Sequence, residues 1–221
     1  MPYITDLKKI KFHKDRYNLF IEKQFLCTIP DYLVNEYQLK KGVDVPKDVL
    51  DTIFYESEKF RAHESAYRYL TIRPHSKFEI IVKLQNKGFD NNIIGAVVEK
   101  CLKEGYLDDA KFAAAWVRHR LSSKPRGRRM LQSELYQKGI DREIADQVLD
   151  AQLAETSEED LALQLLEKNR SRFLAQNSVD LKLKIRNFLS YRGFGYQSAR
   201  AAADKFIESL ENEEIDLNEE F

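Results

Sequence analysis

The group of side chains most suggestive of a binding site in this sequence is a run of cations between residues 118 and 129. Six Lys and Arg residues fall within these twelve positions, spread over a predicted helix end, a loop and the start of the next helix. Phosphate groups and acidic protein surfaces are the ligands that such a cluster attracts, and six phosphate contacts would make binding steeply dependent on salt. The run therefore predicts a surface for an anionic partner. Its cations are Arg118, Arg120, Lys124, Arg126, Arg128 and Arg129.

Three of these cations, Arg126, Arg128 and Arg129, lie where the next helix is predicted to begin. The partial positive charge of a helix N-terminus disfavours a cation there by roughly 0.3–1 kcal/mol. We expect no nearby acid to relieve this cost, so the cluster indicates selection for an anionic partner. The alternative is a solvated run of charge with no partner. A phosphate backbone and an acidic protein surface both fit, and the residues alone leave that choice open.

The side chains that an enzyme would need are scarce. The sequence contains no glycine-rich phosphate loop, no nucleophile elbow and no pair of histidines at zinc-ligand spacing. Asp108 and Asp109 could be read as the carboxylate pair of a metal-dependent hydrolase, but helix N-capping after the turn at 105–107 explains them better. We therefore expect a protein that is not an enzyme and has no cofactor and no metal site.

The elements that position the cations are built around a stretch that occurs three times: 84–89, 135–140 and 189–194. Each copy reads Leu, two further residues, a cation, Gly and a large apolar residue, and the glycines are 51 and 54 residues apart. Glycine enters the left-handed conformation that ends a helix without a Cβ clash. A repeat of this length predicts tandem copies of one helical unit, in which each glycine joins two helices.

Punctuation by Gly and Pro, helix caps and a 3.6-residue apolar period predict nine helices in three units of three. Residues 3–28 alternate as strands and predict a three-stranded meander, followed by helices at 30–37 and 46–60. The predicted fold is therefore mainly α: an elongated tandem array of three three-helix repeats with a small N-terminal α+β segment containing a short antiparallel sheet. The nine helices are expected near 63–73, 76–87, 90–104, 108–122, 127–138, 141–154, 157–174, 178–191 and 195–211. The predicted domains are an N-terminal segment (1–60), repeats at 61–107, 108–154 and 155–207, and an acidic tail (208–221).

Local signals within the repeats predict buried positions and helix caps. Asp90, Asp108 and Asp141 are expected to be N-caps, and capping boxes are expected at Ser76–Glu79 and Thr156–Glu159. Six apolar positions keep register with the repeated glycines and are expected in the core. They are Ile80, Leu131 and Ile185, eight residues before a glycine, and Val97, Val148 and Ala202, nine residues after one.

The formal net charge of zero conceals an uneven distribution. Residues 61–150 carry 17 Lys/Arg against 12 Asp/Glu, residues 162–207 carry nine against three, and residues 208–221 carry seven acids and no base. The tail is predicted to be a solvating, partly disordered end, with an autoinhibitory strap over the basic faces as the alternative. The third repeat also carries an excess of Lys and Arg. In the first two repeats the residues predicted to bind a partner protein or DNA are Arg73, Lys77, Lys83, Lys87, Arg118, Arg120, Lys124, Arg126, Arg128, Arg129 and Lys138.

Cys27 and Cys101 are the only cysteines, and they have no partner histidine at metal-ligand spacing. We expect both to be core residues of a protein in a reducing compartment. The sequence shows no apolar run of membrane-spanning length and no secretory signal pattern. It is therefore expected to be a cytoplasmic, soluble protein without a membrane partner, and a monomer is the simplest expectation.

Several stretches of the helical repeats together match a known pattern: 66–70 with Arg73, 76–80, 83–84 with 87–88, 105–109 with 112–113, 127–131 with 134–135, and 138–140. At these residues the sequence resembles the RecX family of recombination regulators. The resemblance covers about residues 61–150 and continues more weakly, in register, to 205. The third repeat departs most, because Arg192 replaces Lys and no Asp follows Gly193.

The resemblance implies an array of three-helix units that lies in the groove of the RecA nucleoprotein filament. Such regulators bridge RecA protomers, lower ATP hydrolysis and strand exchange, and some also bind DNA. The leading hypothesis is therefore a regulatory protein that binds the RecA–single-stranded-DNA filament and inhibits it. The alternative from another class is a helical repeat protein that binds nucleic acid without specificity.

Overall fold

The computed structural model describes residues 2–11, 13–154, 156–174 and 178–219. Within these ranges the chain forms ten α-helices, one 3₁₀ turn and one three-stranded sheet. It divides into two compact units, an N-terminal unit at Met1–Leu107 and a C-terminal unit at Asp108–Phe221. The prediction of a mainly α protein of helical repeats with a small N-terminal sheet is confirmed.

The N-terminal unit begins with an antiparallel meander of β1 (Ile4–Ile10), β2 (His13–Ile21) and β3 (Gln24–Pro30). Leu19 pairs with Leu7 on one side and Cys27 on the other, and its side chain is fully buried. The alternation of apolar and polar residues in β2 produces this pattern because successive side chains point to opposite faces of a strand. The predicted meander is confirmed.

Helix α1 (Asp31–Glu36) follows the sheet, and α2 (Lys47–Ile72) then runs for 26 residues. The sequence predicted two helices here, one ending near residue 60 and one starting at 63. That expectation is wrong, because no Gly or Pro interrupts the segment and Ala62 is fully buried. One helix therefore serves two cores: Ile53 packs under the sheet, whereas Ala62 and Ala66 pack in the first repeat.

Helices α3 (Lys77–Gln85) and α4 (Asn91–Lys103) complete the first repeat. The C-terminal unit contains α5 (Asp109–Ser123), α6 (Arg128–Gln137) and α7 (Arg142–Leu153) of the second repeat. The third repeat consists of α8 (Glu158–Glu167), a 3₁₀ turn (Arg170–Arg172), α9 (Ser178–Tyr191) and α10 (Tyr196–Glu219).

Three helix ends of the third repeat differ from the prediction. Helix α8 ends at Glu167 rather than 174, and the Asn169 side chain donates to the carbonyl of Leu165 at 2.7 Å, which competes with helical bonding. Its N-cap is Ser157, which accepts from the backbone of Asp160, so the box expected at Thr156–Glu159 was wrong by one residue. Helix α10 continues through the acidic stretch to Glu219, whereas side chains 213–219 and residues 220–221 lie outside the described part.

The repeated glycine turns have the geometry that their sequence predicts. Gly88, Gly139 and Gly193 adopt positive φ angles of 82°, 71° and 84°. In each copy the residue after the glycine donates to the carbonyl of the repeated leucine, five residues earlier, at 3.0–3.3 Å. The glycine itself donates three residues back at 2.8–3.0 Å. These paired bonds form a Schellman motif, which satisfies the last carbonyls of a helix.

The other local predictions are largely confirmed. Asp90, Asp108 and Asp141 cap their helices through side-chain oxygens, and Ser76 accepts from the backbone N–H of Glu79. Cys27 and Cys101 are buried and unpaired. Of the six predicted core positions, five are buried and Val148 is half-buried at the edge of the second-repeat core. No helix in the described residues is long and apolar enough to cross a membrane.

Candidate interface for an anionic partner

The cation that precedes each repeated glycine lies over an aromatic ring. Lys87 Nζ is 5.4 Å from the ring centroid of Tyr69, and Lys138 Nζ is 4.8 Å from that of Trp116. In the third copy the guanidinium carbon of Arg192 is 4.9 Å from the Phe188 centroid. A cation within about 6 Å of a ring face is attracted by the ring quadrupole. The position therefore holds its charge in the same local setting in all three repeats.

A second cation lies over each of these rings. Lys83, Arg120 and Arg172 are 4.5, 4.6 and 5.1 Å from the centroids of the Tyr69, Trp116 and Phe188 rings. We call each group of two cations on one ring a cation–ring cluster. The ring belongs to the first helix of its repeat in the first two copies and to the second helix in the third. Sequence reasoning missed these clusters because two of the rings are contributed by a neighbouring helix.

The predicted cations of the first repeat are partly engaged within the protein. Arg73 donates to the carboxylate of Glu79 at 3.1 and 3.4 Å and to the carbonyl of Pro74 at 2.9 Å. Lys87 Nζ is 3.3 Å from Ser65 Oγ, and Lys77 is exposed at the first residue of α3. His75, in the loop before α3, is buried, and this burial lowers its pKa, so its ring is neutral near pH 7.

Glu134 forms ion pairs with two of the six cations of the 118–129 run. Arg120 Nε donates to its Oε2 at 2.7 Å, and an Arg126 guanidinium nitrogen forms an ion pair with its Oε1 at 3.0 Å. The Trp116 indole N–H also donates to Oε2, at 2.8 Å. The Glu134 side chain is only 12% exposed, so this network is largely shielded from solvent. The network therefore holds the Trp116 ring and Arg120 of the second cation–ring cluster in position.

Arg128 is also paired, because its guanidinium donates to Asp150 at 2.6 Å and lies 3.7 Å from Asp146. The expectation that the cations at this helix start lack nearby acids is therefore wrong for Arg126 and Arg128. Their partners come from α6 and α7 and were hidden from a reading of the local sequence. The three remaining cations of the run, Arg118, Lys124 and Arg129, are exposed and have no acidic partner among the described residues. They form the exposed cation set.

Two glycines bring the loop of this run against the third repeat. The Gly127 N–H donates to the carbonyl of Arg192 at 3.0 Å, and a Cβ on Gly127 would lie 2.3 Å from the backbone of Gly193. Such a distance excludes any side chain at Gly127. The carboxylate of Glu158 accepts from the backbone N–H groups of Arg128 and Gly195 at 3.4 and 3.2 Å. An acid at two helix N-termini offsets their positive ends.

Asp108 and Asp109 show no metal-binding arrangement. Asp108 accepts from the backbone N–H of Lys111 at 2.9 Å and pairs with its side chain at 3.2 Å. These contacts, chiefly the backbone hydrogen bond, hold the pKa of the Asp108 carboxyl below its usual range. Among the described residues no group of three or more His, Cys, Asp or Glu could hold a metal ion. The interpretation of Asp108 as a helix cap is confirmed.

Comparison with known proteins places this arrangement in a family. Three family models match the chain: the RecX regulatory protein N-terminal domain at 2–46, the first RecX three-helix domain at 62–101 and the second at 108–149. Together they cover more than half of the chain.

Curated relatives carry the same description. The regulatory protein RecX of Oceanobacillus iheyensis is 28% identical over 203 residues, which cover 88% of this chain and 73% of the relative. That of Bacillus thuringiensis is 27% identical over 220 residues, which cover 98% and 80%. The bacterial relatives are thus matched over most of their length.

Solved structures show the same fold. A crystal structure of regulatory protein RecX superposes with a TM-score of 0.72 at 21% identity, covering 92% of this chain and all of the other. RecX from Lactobacillus salivarius gives a TM-score of 0.59 at 22% identity, covering 70% of this chain and 97% of the other. The resemblance carried by the glycine turns and the capped helices is confirmed, and this chain belongs to the RecX family of regulatory proteins.

Proposed function

We propose that this protein binds the RecA–single-stranded-DNA filament in the cytoplasm and inhibits its recombinase and ATPase activities, thereby modulating homologous recombination and DNA repair. The observation that carries the proposal is membership of a family whose curated relatives are named regulatory proteins. That naming points to a role without catalysis of its own. The cations held by rigid helical repeats support it, because a long nucleoprotein filament presents a regular array of anionic groups.

The structure separates the predicted binding residues by how free they are to meet a partner. Four of the predicted residues already pair with carboxylates, so a further anion would have to compete for them: Arg73, Arg120, Arg126 and Arg128. Paired groups are better suited to positioning the surface than to making the contact. We propose that the exposed cation set (Arg118, Lys124 and Arg129) makes the principal contacts of the second repeat. The lysines of the first two cation–ring clusters, Lys83, Lys87 and Lys138, supply further attraction.

The proposal is tested by removing the exposed cation set and measuring inhibition of RecA's DNA-dependent ATPase. The variant Arg118→Gln/Lys124→Gln/Arg129→Gln removes three charges without touching the Glu134 network. We expect the concentration needed for half-inhibition to rise at least about tenfold, because each lost charge contact to an anion weakens attraction. The inhibition that remains should depend less steeply on salt.

The chain offers a control with the same change in charge. Lys111, Arg142 and Arg200 are highly exposed on the same compact unit and make only short-range surface ion pairs. Such pairs contribute little to stability. Lys111→Gln/Arg142→Gln/Arg200→Gln should inhibit like the unmodified protein. Full inhibition by the first variant, or equal loss in both, would show that the exposed cation set is not the contact surface.

A further inference from the structure

The third repeat contains a cavity of about 390 Å³ whose lining is entirely cationic, aromatic and amide. It opens between the 3₁₀ turn and the C-terminal half of α9. The residues that matter for its chemistry are Arg172, Lys184, Asn187, Phe188, Tyr191 and Arg192. A volume near the lower end of the roughly 300–1,000 Å³ range of small-ligand sites suits a single compact group rather than a helix or strand.

No acid among the described residues neutralises the positive charge of the cavity. The guanidinium carbons of Arg172 and Arg192 are 5.1 and 4.9 Å from the centroid of the Phe188 ring. In the part of the chain that the structure describes, no carboxylate pairs with either arginine or with Lys184. Other cations of the same repeat are treated differently. Lys182 pairs with Asp204, and Arg170 pairs with Glu167. Uncompensated cations that converge on one cavity indicate an anionic ligand.

A largely exposed aromatic ring, that of Tyr191, lines this cavity. Tyr191 is 84% exposed, although burying a ring is normally favourable. It occupies the position two residues before the repeated glycine, where the other copies have Asn86 and Gln137. The glycine turn therefore forms without an aromatic residue at that position. A tyrosine here adds a flat stacking surface beside three cations.

We propose that this cavity binds one nucleotide of a single-stranded nucleic acid. The base stacks on the Tyr191 ring, and the adjacent phosphate is held by Arg172, Lys184 and Arg192. Asn187 supplies an amide that can donate to or accept from the edge of the base. Stacking on an exposed ring within a cationic groove is the general mode of sequence-tolerant single-strand binding. The bases of a duplex are stacked on one another and cannot stack on the Tyr191 ring. An acidic peptide would pair with the cations but would not require the ring. The site does not depend on the function proposed above.

The test measures binding of the full chain to a dye-labelled oligothymidylate of about ten nucleotides by fluorescence anisotropy, without RecA. Tyr191→Ala should weaken binding roughly 5- to 100-fold, the range of removing one base–aromatic stack, whereas Tyr191→Phe should bind like the unmodified protein. Arg172→Gln/Lys184→Gln should weaken binding and reduce the slope of log K against log salt by about 1.4, or about 0.7 for each phosphate contact on a single strand. Because Tyr191 is exposed, its variants are expected to fold normally.

Lys111→Gln/Arg142→Gln is the control for charge, since it removes two exposed cations elsewhere on the same unit. It should leave affinity within about twofold, which is inside the usual range for a surface change away from a site. The proposal is overturned if Tyr191→Ala binds normally or if the control loses as much as Arg172→Gln/Lys184→Gln. It is also overturned if a duplex with the same number of phosphates, or polyglutamate, binds as tightly and is insensitive to Tyr191→Ala. Because RecA is absent, failure here leaves the filament proposal standing.

Discussion

At the scale of single residues, the basic run is a mixture of charges that build the protein and charges that face outward. Glu134 and Asp150 take up three of its six cations, and these contacts join side chains that are 8 to 22 positions apart in the chain. A local reading of charge cannot see such pairs, because sequence spacing predicts neighbours only within one helix. The position of the basic run could therefore be predicted from the sequence. Which of its cations lack an acidic partner could not.

Glu134 is the residue on which the second cation–ring cluster depends. Glu134→Gln keeps its volume but removes the carboxylate shared by Arg120 and Arg126, and the Arg126 Nε is already buried without a hydrogen-bond partner. Leaving two partly buried cations without their anion should lower the free energy of unfolding by about 1–3 kcal/mol. Urea denaturation measures this change.

The control for that substitution is Glu99→Gln on α4. Glu99 pairs with Lys103 at 2.8 Å, but both side chains are largely exposed, so the pair is screened by water. Its loss should leave the unfolding midpoint unchanged. If Glu134→Gln is as stable as Glu99→Gln, the network around Glu134 does not contribute to folding as described.

His75 gives the N-terminal unit a dependence on acid. Burial lowers its pKa, and its Nδ1–H donates to the carbonyl of Arg73 at 2.8 Å. Because the folded pKa lies below the unfolded value of about 6.5, the unfolded chain binds protons first, and stability falls as pH drops through about 6.5. His75→Asn should therefore lose less stability than the unmodified protein between about pH 7.5 and 5.5. Burial also lowers the pKa of His63, so part of the acid loss should remain.

Unfolding by urea at these two pH values provides the measurement. The informative quantity is the difference in unfolding free energy between the two pH values, which removes any constant cost of the substitution. An identical difference in both proteins would mean that the neutral His75 ring does not contribute to acid sensitivity.

At the scale of elements, the helix ends were the most predictable feature and the helix-to-helix contacts the least. A Schellman turn is encoded by a glycine and two apolar residues within six positions, so three copies could be read directly from sequence. The single helix at 47–72 was predicted as two helices that meet near residue 60, although no Gly or Pro interrupts the chain there. The cation–ring clusters were missed because Tyr69 and Trp116 come from the preceding helices.

Replacing a glycine by alanine should have opposite effects on stability at Gly88, in a turn, and at Gly95, within a helix. Gly88 has a φ of +82° with open space around the position of a Cβ, so Gly88→Ala should cost roughly 1–2 kcal/mol from the left-handed backbone alone. Gly95 lies inside α4 with equally open space and an ordinary helical conformation. Gly95→Ala should stabilise the protein by roughly 0.5–1 kcal/mol. Thermal or urea unfolding of both variants compares them.

Both substitutions add the same methyl group to an uncrowded position, so each is the control for the other. The sign of the two changes matters more than their size. A neutral or stabilising Gly88→Ala would mean that the repeated glycine is not required for its conformation, and the physical reason given for the repeat would be lost.

At the scale of the whole molecule, the second and third repeats are one compact unit, which their sequence similarity alone did not indicate. Gly127 and Gly193 are in backbone contact, and Glu158 accepts from the starts of α6 and α10. Leu121 and Leu153 pack against the cores of both repeats. The loop that carries Lys124 is therefore held against the turn that carries Arg192. Because the backbone that carries these cations is already fixed, little of its conformational entropy is lost when a partner binds.

The central claim is that this protein recognises a RecA filament rather than nucleic acid in general. The most direct measurement compares binding to RecA–single-stranded-DNA filaments with binding to the same DNA without RecA, at matched salt. We predict that the filament binds at least about tenfold more tightly, a difference of roughly 1.4 kcal/mol, and that Arg118→Gln/Lys124→Gln/Arg129→Gln removes this preference. Equal affinity for naked DNA and filament, with the same salt dependence, would contradict the claim and would identify a non-specific nucleic-acid-binding protein.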